Sequence, residues 1–311
     1  MTITRPLSAL TALLLAGPAV AQTTPAPVAP PVRMPATPHA TTIPADPALW
    51  VVKDKDTTVY LFGTVHALKP HLRWFDSAVK KAFDSSGQLM LEIPLPDPAT
   101  AQRVMLPLAT DALGVPLTQK LPAGDRAAYA AAMTKLGIPP AALEKFEPWF
   151  VAVTLSQLAL QKAGFSAADG AEAELTAAAA AQRKPVAGLE TLEQQLGYFH
   201  NLSQADQVAF LVSSVKDIDK FDGMINAMLD RWKAGDAEGL SALMNEDLTS
   251  QPNLYRVLLV ERNKRWATWI AQRMKKPGTV FIAVGAGHLA GKDSVQAQLA
   301  RYRLKAVRIR Y

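Results

Sequence analysis

Two apolar runs near opposite ends of the sequence are each followed at once by the same short pattern. Val59-Tyr60-Leu61-Phe62 leads directly into Gly63-Thr64-Val65-His66, and Phe281-Ile282-Ala283-Val284 leads directly into Gly285-Ala286-Gly287-His288. A short continuous apolar run reads as a strand buried on both faces. Glycine at its end lets the backbone turn sharply and approach a ligand closely. Histidine projecting from such a turn can bind a metal or move a proton near neutral pH. In open α/β sheets, ligands gather outside the carboxyl ends of the strands. The paired G-x-x-H pattern therefore centres any chemistry on His66 and His288, and it asks both ends of the domain to build one sheet.

The remaining pattern agrees. Leu49 to Val52 and Thr58 to Phe62 read as strands joined by the charged turn Lys53-Asp54-Lys55-Asp56. An amphipathic helix over Leu72 to Asp84 and a strand over Gln88 to Ile93, stopped by Pro94, complete a strand–helix–strand signature. The middle reads as helices over Gly124 to Leu136, Pro139 to Ala163 and Ala171 to Gln182. A short strand at Lys184 to Gly188 follows, then helices again from Leu192 to about Lys275. Thr279 to Val284 is a strand, Gly291 to Tyr302 a helix and Lys305 to Arg310 a closing strand. The expected fold is mixed α/β: one domain over residues 48–311, a central mixed sheet built from both ends, and a large helical insertion covering it.

Composition narrows the class. Apolar residues make up 49% of the 311, ample for a packed core. Arg5, the apolar stretch Leu7 to Gly17 and the small-residue site Ala19-Val20-Ala21 read as a secretory leader cut after Ala21. Its apolar run is shorter than the roughly 20 residues a bilayer demands, so no membrane anchor is expected after cleavage. Residues 22–47 hold eight prolines among Thr and Ala and read as a disordered tether. A periplasmic or secreted destination is expected. With no cysteine, disulfides, thiolate zinc sites and cysteine nucleophiles are excluded, and any metal must use His, Asp, Glu or water. The net charge of +6 is mild. Arg301, Arg303, Lys305, Arg308 and Arg310 read as the charged outer face of the last strand, and no nucleic-acid motif accompanies them.

Four further residues enter the candidate site. Glu92, in Leu91-Glu92-Ile93-Pro94, is a carboxylate in an apolar strand, costly to bury unless paired or bound to a cation. On an alternating strand it could equally face solvent. Glu190 follows the strand at Lys184 to Gly188 and could be no more than a helix-start carboxylate. Arg262 and Asn263 interrupt an apolar region, and composition alone reads them as a solvated helix face.

Taken together, these segments resemble the TraB/GumN family (TraB/PrgY/GumN), a group related to the Tiki metalloproteases. The resemblance is carried by Tyr60 to His66, Leu91 to Pro94, Lys184 to Thr191, Glu261-Arg262-Asn263 and Val284 to Leu289, in family order. It implies an erythromycin-esterase-like fold and a site of His66, Glu92, Glu190, Arg262, Asn263 and His288. It further implies a metal-dependent hydrolase of the peptidase class, with a divalent ion (Mn, Co or Zn) on His66, Glu92 and His288. In that scheme Glu190 is general base or orienter, Arg262 polarises a carbonyl or holds a carboxylate, and Asn263 donates to the oxyanion. No organic cofactor is expected, and the partner is a peptide or small-molecule substrate. Two other readings stay open: a metal-free His/Glu hydrolase, and a non-catalytic periplasmic protein that binds peptide or glycan.

Overall fold

A computed structural model describes residues 42–245 and 251–311. The leader and most of the Pro-rich segment lie outside the described residues. Eight strands occur among them: β1 (Ile43–Pro44), β2 (Leu49–Lys53), β3 (Thr57–Thr64), β4 (Leu72–Arg73), β5 (Gln88–Leu91), β6 (Val186–Gly188), β7 (Gly278–Gly285) and β8 (Val307–Ile309). Six of them form one mixed sheet in the order β6-β5-β7-β3-β2-β8, and β1 pairs with β4 alone. β6, β5, β7 and β3 run parallel; β2 is antiparallel to both β3 and β8. The fold is mixed α/β, and its sheet is drawn from both ends of the domain.

The centre of the sheet explains why the two G-x-x-H motifs meet. β3 and β7 pair in register from Thr57↔Gly278 to Thr64↔Gly285. Side chains alternate across a strand, so both strands are lined on two faces. Phe62, Phe281 and Ala283 join the large core under the helical insertion. Val59, Leu61, Val280, Ile282 and Val284 face a second core with Trp266, Ala267 and Ile270. Helix α1 (Ser77–Asp84) carries the chain from β3 to β5. The two strands of this crossover are not neighbours, because β7 occupies the position between them.

The insertion is helical, as expected. It comprises α2 (Pro98–Ala109), α3 (Leu117–Lys120), α4 (Arg126–Leu136), α5 (Pro148–Lys162), α6 (Ala171–Ala181), α7 (Leu192–His200), α8 (Gln204–Lys216), α9 (Phe221–Lys233) and α10 (Ala237–Asn245). After the undescribed residues come α11 (Pro252–Tyr255), a π-helical turn over Arg256–Val260, α12 (Glu261–Arg273) and α13 (Val295–Leu299). No described helix is long and apolar enough to cross a membrane.

Several boundaries differ from the sequence reading. Leu72–Arg73 is a strand, and the helix expected from Leu72 starts only at Ser77, because β1 claims that stretch as a partner. The same pairing folds residues 42–47, read as tether, onto the domain, where Ala45 is buried. The helix read as continuous from Pro139 to Ala163 breaks: a 3-10 turn at Pro140–Leu143 precedes a fresh start at Pro148, which serves as first-turn proline. α2 was not foreseen, although Asp97 caps it by accepting from Thr100 N–H and Pro98 opens it. On β8, Val307 is exposed while Arg308 is half-buried, because the Arg308 guanidinium lies over the Trp50 ring and donates to Gly235 O.

Candidate functional site

Four consecutive parallel strands each deliver one side chain just past their carboxyl ends. In sheet order these are Glu190 after β6, Glu92 after β5, His288 after β7 and His66 after β3. Backbone bonds tie the outer turns together, Leu189 N–H to Leu91 O and Glu190 N–H to Glu92 O. On the other side, Gly63 sits tight against the second turn: a Cβ there would meet Cα and Cβ of Ala286 at 3.1 Å. The Gly63 carbonyl accepts a bond from Trp232 Nε1 at 2.8 Å. The two histidine-bearing turns are therefore in direct backbone contact.

The solvated-face reading of Arg262 and Asn263 is replaced by full burial, each 1% exposed. A π turn lies immediately before the helix that carries them. An i→i+5 turn shifts the phase of the helix that follows and is frequent at functional sites. Trp266, Ala267 and Ile270 of α12 pack on the sheet, which fixes its orientation.

Arg262 is the hub. Nε donates to both oxygens of Glu190 at 3.1 and 3.0 Å, and Nη2 pairs with Glu190 Oε2 at 2.9 Å and with Glu92 Oε2. Nη1 donates to Leu258 O at 3.3 Å and lies 3.2 Å from His288 Nε2. The guanidinium carbon sits 4.7 Å from the Trp266 ring centroid and 5.5 Å from that of Tyr198. Every N–H of the guanidinium thus has a partner within the protein. The carboxylates are equally saturated. Glu92 accepts from Gly285 N–H at 2.7 Å and Gln195 Nε2 at 2.9 Å; Glu190 accepts from Tyr198 OH and Trp266 Nε1, both at 3.1 Å. Buried ions persist only when paired and hydrogen-bonded in this way.

His288 is wholly buried and held from both sides. Nδ1 meets Asn263 Oδ1 at 2.6 Å, and Asn263 Nδ2 donates to Asp293 O at 2.8 Å. An amide oxygen can only accept, so Nδ1 carries the proton and Nε2 is the acceptor facing Arg262. Burial and the Arg262 charge push the His288 pKa down to about 3, so it is neutral. Burial alone would raise Glu92, but Arg262, the two histidines and the Gly285 N–H together outweigh it and hold the carboxyl at about 2.

His66 differs from every other member. Its Nδ1 lies 2.6 Å from Glu172 Oε1, in the first turn of α6. Its Nε2 is buried and has no partner. Burial favours the neutral ring, but the charge and contact of Glu172, with Glu92 behind them, outweigh it and raise the pKa.

The structure brings together Glu92, Glu190, Arg262, Asn263 and His288 as one bonded network, with His66 beside it. Both glutamates turn inward, so neither the solvent-facing nor the helix-start alternative describes them; the cap of α7 is Thr191, in a capping box with Gln194. Sequence reasoning missed Glu172, Gln195, Tyr198, Trp266 and Asp293. Glu172 and Glu174 both sit in the first turn of α6, and nothing in the sequence distinguishes the buried one.

A divalent ion on His66, Glu92 and His288 does not fit this arrangement. Arg262 Nη1 faces the His288 Nε2 lone pair, and both Glu92 oxygens already accept N–H donors. As placed, no group of three His, Asp or Glu side chains among the described residues forms a metal site.

A sequence model of the TraB/PrgY/gumN family matches residues 48–306. The chain is 23% identical over 274 residues to an uncharacterized protein of Treponema pallidum (strain Nichols), covering 82% of this chain and 80% of that protein. It is 29% identical over 170 residues to the uncharacterized protein YbaP of Escherichia coli (strain K12), covering 53% of this chain and 61% of YbaP. The YbaP of Shigella flexneri matches with the same figures. No solved structure matches the chain.

Proposed function

The chain belongs to the TraB/PrgY/gumN family, and from that premise and the site geometry we propose that it is a hydrolase of peptides or related carbonyl compounds that activates water at His66. One observation carries this reading: His66 Nε2 is buried and unpartnered, whereas the nitrogens of Arg262 and His288 and the oxygens of Glu92 and Glu190 are engaged. Buried polar groups are rarely left unsatisfied, and exceptions often mark a catalytic role.

In this reading the Nε2 lone pair of His66 takes a proton from water as its oxygen attacks the substrate carbonyl carbon. The imidazolium then returns that proton to the leaving nitrogen or oxygen as its bond to carbon breaks. Arg262, tied to two carboxylates, acts through its fixed field rather than by a free N–H. Glu92 and Glu190 keep the guanidinium in place, and Asn263 keeps the proton of neutral His288 on Nδ1. The leader-like first residues support a site of action outside the cytoplasm.

A second reading is the metal-dependent hydrolase of the family resemblance. The 3.9 Å spacing of His288 Nε2 and Glu92 Oε1 favours it, provided that Arg262 withdraws. One experiment tests both. The purified protein is incubated with a mixed panel of unblocked peptides, before and after chelator treatment and with Mn, Co or Zn returned, alongside His66→Ala, and products are read by mass spectrometry. Cleavage that survives chelation and is lost in His66→Ala supports the first reading. Cleavage that needs an added ion supports the second. No cleavage under any condition overturns both and leaves a binding protein.

A further inference from the structure

The helix start Gly170-Ala171-Glu172 belongs to none of the motif segments, yet the turn carrying His66 is built around it. Ala171 N–H donates to Val65 O at 3.1 Å. A side chain at Gly170 would overlap the His66 carbonyl oxygen, so only glycine allows α6 to dock there. This seat brings Glu172, 8% exposed, to 2.6 Å from His66 Nδ1.

His66 Nδ1 is the close polar partner of Glu172, and neither carboxylate oxygen has any other hydrogen-bond donor. A buried carboxylate with no donor is costly. Two things offset that cost here: the positive end of α6, in whose first turn Glu172 lies, and the His66 Nδ1 proton itself. Unpartnered buried atoms concentrate at this seam among the described residues: Thr64 Oγ1, His66 Nε2, both Glu172 oxygens, and Thr176 Oγ1 one turn further along α6. Elsewhere in the site such atoms are bonded.

The comparison with His288 shows what the seam is for. Both histidines are held through Nδ1, but by different groups. His288 meets the neutral amide of Asn263, and its Nε2 is already taken by Arg262. His66 meets a carboxylate, and its Nε2 is free. A carboxylate behind an imidazole fixes the tautomer and strengthens the far nitrogen as a base or ligand.

We infer that Glu172 is a positioning residue, seated by Gly170, that keeps the proton of neutral His66 on Nδ1 so that Nε2 presents its lone pair to the incoming molecule. The role in catalysis rests on the hydrolase reading above; the tautomer does not.

The test uses the full chain labelled with 15N-histidine, with the His66 signals assigned by their loss in His66→Gln. At a pH where the ring is neutral, the wild type should show the Nδ1–H tautomer. Glu172→Leu, which removes the acceptor, should lose that preference and shift toward the Nε2–H form that free imidazole side chains favour, and Glu172→Asp should keep it in part. Where cleavage is measurable, Glu172→Leu should lower kcat about 10–100-fold with KM unchanged, the usual cost of removing such a partner. Circular dichroism confirms that each variant is folded. Gly170→Ala, which displaces α6, should move the His66 signals in the same direction. Identical His66 shifts in wild type and in folded Glu172→Leu overturn the inference, whatever the activity. A shifted tautomer in a protein that cleaves nothing upholds the inference and removes the hydrolase reading alone.

Discussion

His288 Nδ1 and Asn263 Oδ1 lie 2.6 Å apart in a site closed to solvent, and this one bond decides which nitrogen of His288 faces Arg262. Replacing Asn263 by Leu, similar in size but without an acceptor, leaves a buried N–H with no partner. The expected cost is about 1–3 kcal/mol, read as a lower urea midpoint with an unchanged slope. Asn263→Asp should behave differently. A carboxylate at Oδ1 would favour the imidazolium and set it against the Arg262 guanidinium, so this variant should draw a proton onto His288 that the wild type refuses.

Arg262 compensates two buried carboxylates at once. Arg262→Met should therefore cost more than an ordinary core substitution, about 3–5 kcal/mol, because Glu92 and Glu190 are left buried and unpaired. Arg262→Lys should recover little, since a point charge cannot reproduce the fork that reaches Glu190, Glu92, Leu258 O and His288 together. Adding Glu92→Gln and Glu190→Gln to Arg262→Met should restore part of the loss, measured by denaturant unfolding.

Acid should weaken the fold earlier than carboxylate titration alone would. His288 has a folded pKa of about 3 against an ordinary value of 6.5, so unfolded chains take up a proton that the folded site excludes. Its contribution is complete above pH 6.5 and declines as pH falls toward 3. Glu92, lowered to about 2 from 4.5, adds a second decline below pH 4.5. His66 works oppositely: its raised pKa adds stability that is complete below 6.5 and fades as pH rises through the folded value. Urea midpoints should fall steadily from pH 6.5 to 4, and His66→Gln should leave that fall in place while removing the loss of stability above pH 6.5.

The parts of this site that were legible in the sequence are those positioned by strands. An apolar run followed by glycine and histidine reports both a buried strand and its end, so His66 and His288 could be placed on one sheet edge before any coordinates. Glu92 was visible as an unexpected charge but not its direction, because alternation permits either face until the neighbouring strands are known. Arg262 and Asn263 lay beyond local reasoning. Adjacent residues on a regular helix point about 100° apart, and both are buried because Arg262 meets Glu92 and Glu190 while Asn263 meets His288 and Asp293, partners distant in sequence. Glu172 was beyond it as well, since its partner lies over a hundred positions earlier and the fit depends on Gly170 touching the His66 backbone.

The contact between the two G-x-x-H turns yields the final prediction. A Cβ on Gly63 would sit 3.1 Å from both Cα and Cβ of Ala286, closer than comfortable packing allows. Gly63→Ala must therefore part the β3 and β7 turns by a few tenths of an ångström, against a sheet register that holds Thr64 opposite Gly285. Overpacking of this kind costs about 1–3 kcal/mol. Ala286→Gly removes one of the two clashing carbons, so the double variant should be more stable than the sum of the single effects predicts. The coupling from the four-member cycle should fall at about 0.5–3 kcal/mol, as for residues in direct contact. Additive effects within about 0.3 kcal/mol would mean that the two turns do not press on each other, and the shared edge that brings His66 beside His288 would need another support.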